Sequence, residues 1–162
     1  MNNLSKENWI SLAGMSSAVL AVLAGLSGLG SVYYGNSATR ELIRSSNQWN
    51  HFQAKGIKAN LRETKLELMA ALKKEPLTED HVKIKEYRQE QEMIAIQTKE
   101  KEQAILHFLE IAGLYSRSVT FFQIAIGVVA VALLTRKKYF WFFGMVLAFG
   151  GFCLSLQALV TA

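Results

Sequence analysis

The chain has one cysteine and one proline, and long stretches of it carry no charge at all. The lone Cys153 excludes an internal disulfide framework, and its place in an apolar run argues for a buried, inert thiol rather than a nucleophile. One proline leaves room for long uninterrupted helices. His51, His81 and His107 have no second histidine at i+3 or i+4, so no zinc-binding helix is written here. Gly25, Gly28 and Gly30 follow no strand, which removes a phosphate loop, and Glu90 and Glu92 point to different sides of a helix. We therefore assign no catalytic residue, no metal site and no cofactor.

The charge that is present is unevenly placed. Of 18 Lys and Arg and 13 Asp and Glu, residues 34–117 hold 14 and 12. The remaining charges are Lys6, Glu7, Arg136, Lys137 and Lys138. The net charge of +5 is spread over both regions, so there is no basic stripe for nucleic acid. The lipid bilayer is the expected partner.

Three uncharged runs are long enough for it. As helices, residues 9–34 would span about 39 Å, 118–135 about 27 Å and 139–162 about 36 Å, against a hydrocarbon layer of roughly 30 Å. Trp9 and Tyr33-Tyr34 frame the first run. Arg136, Lys137 and Lys138 form a tight turn before Tyr139 and Trp141, the pattern of a membrane boundary. The first run exceeds the apolar core of a secretory signal and lacks a small-residue cleavage site, so we expect a retained anchor. The basic turn is expected on the cytoplasmic side together with the N-terminus, with the charged insert on the far side, periplasmic in a two-membrane bacterium.

Small residues recur at helical spacing in these runs: Ser17, Ala21 and Gly25 in the first, Gly144 and Ala148 in the third. Such faces let helices approach closely in lipid, and we expect them to support a homo-oligomer. Gln123 and Gln157 are the only strongly polar side chains in the later spans. No ionisable group marks an ion path there.

Between the first and second spans, strong helix formers run from Ser37 to Glu75 and from Leu77 to Tyr115. Lys73-Lys74 at one helix end, Pro76, then Thr78 with Glu79 and Asp80 predict a turn with its tip near Pro76. Ile57, Leu61, Leu68 and Leu72 in the first arm, and Ile84, Tyr87, Ile94, Ile105, Phe108 and Tyr115 in the second, predict the seam of an antiparallel coiled coil. Gln91, Thr98 and Lys101 interrupt it. Glu41 with Arg44 and Glu79 with Lys83 are expected surface pairs. The fold class is thus an all-α membrane protein, three transmembrane helices with a long antiparallel helical hairpin inserted between the first and second. Its parts are 1–35 (tail and first span), 36–117 (charged hairpin) and 118–162 (transmembrane hairpin with the basic turn 136–138).

One segment of the first arm is chemically denser than the rest. Arg40, Arg44, Gln48, Trp49, Gln53, Lys55 and Lys58 place cations and amides beside an aromatic near the membrane end. They suit lipid headgroups or subunit contacts, or an aromatic seam position flanked by snorkelling cations.

The stretch from Ser37-Ala38-Thr39-Arg40 through Asn47-Gln48-Trp49, Gln53-Ala54-Lys55 and Ile57-Lys58 resembles the domain-of-unknown-function family 4337, bacterial membrane proteins with three spans. Phe122-Gln123-Ile124-Ala125-Ile126 and Arg136-Lys137-Lys138 leading to Trp141 and Gly144 are similar to that family's final hairpin. Asn47 stands where the family's pattern has an acid, and His51 where it has an aromatic residue. The resemblance implies the three-span architecture in a bacterial inner membrane and brings no activity with it.

The expected function is a non-enzymatic, homo-oligomeric membrane scaffold, or an accessory that meets a membrane-protein partner in a larger envelope assembly. A pore around the oligomer axis and a lipid-interacting enzyme are the alternatives.

Overall fold

A computed structural model describes residues 2–75 and 78–162, with side chains from residue 8 onward. Pro76, the expected tip, lies outside the described residues, as does the side chain of Lys6. Among the described residues there are three α-helices and no strand: α1 (Asn2–Ala71), α2 (Thr78–Thr135) and α3 (Lys138–Thr161).

Helix α1 passes through the first apolar run and the first charged arm without a break, and α2 does the same for the second arm and second run. Gly35, Gly56 and Gly113 sit inside these helices. A helix-interior glycine costs only about 1 kcal/mol, which good helix formers on both sides outweigh. The ends are set by chemistry that the sequence announces only in part. Lys73 takes a left-handed φ of 55°. Its N–H donates to the Ala70 carbonyl at 3.0 Å, and that of Lys74 to Met69 at 2.9 Å, a double closure of the last turn that glycine usually provides. Arg136, φ 53°, ends α2 in the same left-handed conformation.

The chain divides into two units. The first runs to Ser37 and takes in His107–Ala162. Here α2 runs antiparallel to both other helices, and three clusters hold the unit together. Trp9 and Ala13 pack on Val129; Leu20 packs on Phe122, Ala125 and Ala148; and Tyr34 lies against Ile111, Leu114, Tyr115 and Ala158. The helices come close because small residues line the contacts. A Cβ on Gly144 would lie 2.9 Å from a Val129 methyl, and one on Gly151 3.0 Å from the Phe121 Cβ. Gly30 carries the face of Tyr115, whose ring stacks on Tyr34 with centroids 5.9 Å apart. Ser27 lies at the middle, its hydroxyl 3.4 Å from that of Ser118 and 3.1 Å from that of Ser155, while Ser118 donates to the Gly151 carbonyl at 2.7 Å. Buried hydroxyls so paired leave no polar group unsatisfied in an apolar setting.

The outer faces of this unit are apolar. Leu12, Met15, Val19, Val22, Leu26 and Leu29 on α1 and Phe142, Phe149 and Leu159 on α3 are exposed, and so is Cys153, which the sequence had led us to expect buried. All three helices are long and apolar enough to cross a membrane, which points to membrane association.

The second unit is Ala38–Leu106. Its contacts pair ascending positions of α1 with descending positions of α2, so the two segments run in opposite directions. The face of α1 that meets α2 carries Ser45, Gln48, Phe52, Lys55, Ala59 and Arg62. It is not the expected apolar stripe: Ile57, Leu61, Leu68 and Leu72 are exposed at 68%, 70%, 60% and 59%. On α2 the expected positions hold better, with Ile105 buried and Ile84, Tyr87 and Ile94 half-buried. Gln91 and Thr98, expected as interruptions, are buried members of the contact. Small or polar side chains win on α1 because Gly56 and Ala59 admit the partner helix closely and the polar groups find hydrogen-bond partners across it.

Candidate functional site

The second unit brings the polar chemistry of the chain together along one helix-to-helix contact. At one end Asp80, in the first turn of α2, has its side chain only 2% exposed between two cations of α1. Lys65 Nζ donates to Oδ2 at 2.6 Å, and the Arg62 guanidinium pairs with Oδ1. The Lys65 hydrogen bond, against the opposing cost of burial and with help from Arg62, holds the Asp80 carboxyl below its ordinary value. Next along, Tyr87 lies under Arg62 and a further cation of α1, its ring centroid 6.0 Å from Arg62 Cζ and 5.1 Å from Lys55 Nζ. Lys55 also pairs with Glu90.

The middle is a buried amide. Gln91 Nε2 donates to the Phe52 carbonyl at 3.0 Å, and its Oε1 accepts from Arg88 at 3.1 Å, which reaches across to Asn60 at 2.8 Å and to Glu63. A Cβ on Gly56 would lie 2.6 Å from Gln91 Nε2, so this amide occupies the space that the glycine leaves open. Further on, Thr98 sits beside Gln48 at 3.5 Å, and Trp49 Nε1 donates to Glu102 at 3.3 Å with its ring edge-on to Phe52 at 5.2 Å.

Of the seven residues singled out in the first arm, Gln48, Trp49 and Lys55 therefore meet α2. Arg44 turns to Glu41 within its own helix, and Arg40, Gln53 and Lys58 are exposed. Lys83 pairs with Glu86 at 2.7 Å and not with Glu79. That pair holds Glu86 low and Lys83 high, first through the hydrogen bond and then through charge. Asp80 with Arg62 and Lys65 was not foreseen. The signal was faint: two cations at i, i+3 on one arm and a helix-starting acid on the other, meeting only once the register is known.

In the first unit Trp9 is buried and Trp141 half-buried, its Nε1 donating to Ser16 at 3.1 Å. Lys138 Nζ stands 6.0 Å over the Trp9 ring. Arg136, Lys137 and Tyr139 are exposed. Gly144 and Ala148 pack inside the chain, whereas Ser17 is half-exposed, Ala21 exposed, and Gly25 has open space where a Cβ would go. No group of three metal-ligating side chains converges among the described residues.

What the arrangement offers is fixed register between helices, with charges held by charges and amides by carbonyls. Together with three helices long and apolar enough to cross a membrane, this describes an all-helical, membrane-associated class of protein. Within it, the chain belongs to the family described as Domain of unknown function (DUF4337), whose model matches residues 7–161. No curated protein and no solved structure matches it.

Proposed function

We propose that the protein is a non-enzymatic, homo-oligomeric integral membrane protein that serves as a scaffold, or as an accessory component of a larger membrane assembly. In this reading the apolar runs of α1, α2 and α3 cross a bacterial inner membrane. The N-terminus and the Arg136 turn are cytoplasmic, and residues 38–106 form an antiparallel hairpin on the periplasmic side.

The observation that carries it is the exposed stripe of Ile57, Leu61, Leu68 and Leu72 in the polar second unit. Exposed aliphatic side chains facing lipid need no explanation, but four at helical spacing on a water-facing helix do. Exposed apolar side chains aligned on one helix face mark a contact surface, and 4-7-4 spacing is what another helix packs against. A second copy of the chain, held in the same membrane, presents the same stripe. The open face of Ala21 and Gly25 supports close approach within the membrane as well.

Measuring the particle mass in mild detergent tests this. A strictly monomeric particle rules the reading out. Orientation has its own test: in a Cys153→Ser background, Gln97→Cys should react with an impermeant thiol reagent in intact spheroplasts, and protection would reverse the assignment.

A further inference from the structure

The basic turn between α2 and α3 is commonly only a topological mark, but here it lines an open cleft of about 550 Å³ with Trp9, Arg136, Lys137, Lys138, Tyr139 and Phe142. The fold builds the cleft in three steps. Arg136 takes the left-handed conformation that stops α2. Lys137 is extended, φ −106° and ψ 114°, and offers no side-chain hydrogen bond to the start of α3. Helix α3 then begins at Lys138 with its first N–H groups uncapped, the end of a helix that favours an anion.

Among the described residues no acid neutralises the charges around it. Every described ion pair lies within residues 41–90, so none of the three cations has a carboxylate partner among the described residues. Glu7 is the nearest acid to Trp9 in sequence, and counting it together with Lys6 still leaves this end of the chain at +3. The only described partner of Lys138 is the Trp9 ring. The remaining walls are aromatic, the side chains that settle at headgroup depth.

We propose that this cleft binds the phosphate of an anionic lipid headgroup. Arg136, Lys137 and Lys138 and the uncapped N–H groups of α3 supply donors and charge, and Trp9, Tyr139 and Phe142 lie along the glycerol and upper acyl region. The assignment rests on the membrane-spanning reading above. It differs from the general attraction of any basic loop for an acidic membrane in requiring the cations at these positions.

The full-length chain in nanodiscs of phosphatidylcholine with a minor share of phosphatidylglycerol tests it. Both leaflets carry the same lipids, so orientation does not enter. By native mass spectrometry the released protein should retain phosphatidylglycerol in preference to phosphatidylcholine. Lys137→Gln, and Arg136→Asn, which tolerates the left-handed turn, should each lower that preference about fivefold. Tyr139→Ala removes a wall of the cleft without changing any charge, and should lower the preference as well. Inorganic phosphate at millimolar concentration should not displace the lipid. Equal retention of both lipids by the inserted wild type overturns the proposal, as does an unchanged preference in Tyr139→Ala, which means diffuse attraction. Displacement by phosphate would assign the cleft to a soluble anion. Extraction of the chain from vesicles by alkaline carbonate is a separate outcome that removes the membrane reading itself.

Discussion

Lys65 Nζ lies 2.6 Å from Oδ2 of Asp80, joining the two charged segments of the chain at a carboxylate that has almost no contact with solvent. Because its folded pKa is depressed, Asp80 stabilises the second unit fully above its unfolded pKa of about 3.9. That contribution is lost as pH falls through the lower folded value. Acid should therefore lower the melting temperature of the helices below about pH 4. Asp80→Asn should lower it already at neutral pH, by leaving Arg62 and Lys65 unpaired, and should flatten the acid branch. Circular dichroism melts across pH check both.

Gly56 and Gly113 are both helix-interior glycines with opposite surroundings. A Cβ on Gly113 meets nothing within 4 Å, so Gly113→Ala should stabilise the chain by about 0.5–1 kcal/mol. Gly56→Ala drives into the Gln91 amide, and the loss of a buried hydrogen bond, about 1–3 kcal/mol, should cancel or exceed the same gain. In a Gln91→Ala background the Gly56→Ala penalty should vanish. Denaturant titration of the four proteins closes the cycle.

Lys73 holds a left-handed turn that glycine adopts without steric cost. Lys73→Gly should raise stability by about 1 kcal/mol with no change in helical content. An unchanged or lower midpoint would mean that the Lys73 side chain contributes something that compensates for the backbone.

How far the sequence foretold this structure depended on whether a feature is one-dimensional. The three helices long and apolar enough to cross a membrane were legible because an absence of charge over 18 or more residues is a property of the string alone, and the turn at Arg136-Lys137-Lys138 was legible because aromatic residues follow it directly. The face that α1 turns to α2 was not. Ile57, Leu61, Leu68 and Leu72 line one apolar face at helical spacing, and periodicity cannot say whether such a stripe meets a helix of its own chain or of another. Ser45, Gly56 and Ala59 make the actual contact because they are small, a property that carries little weight in a hydrophobic count. Ser27, Ser118 and Ser155 lie 91 and 128 residues apart in pairs, and only the register of three helices brings them together. The chemically dense segment was found, and of its seven residues Gln48, Trp49 and Lys55 meet the partner helix.

The exposed stripe is also the point on which the proposed function stands. Ile57, Leu61, Leu68 and Leu72 belong to none of the buried clusters within the chain, so charge placed there should leave the monomer folded while a contact between copies is lost. The decisive measurement is the protein mass of the particle in mild detergent, wild type against Leu61→Glu with Leu68→Glu, each checked for helical content. We expect a wild-type multimer that falls to the monomer in the double variant at unchanged helicity. A wild type already at the mass of one chain would contradict the oligomeric scaffold, and a double variant that keeps the wild-type mass would show that the stripe is not what joins the copies.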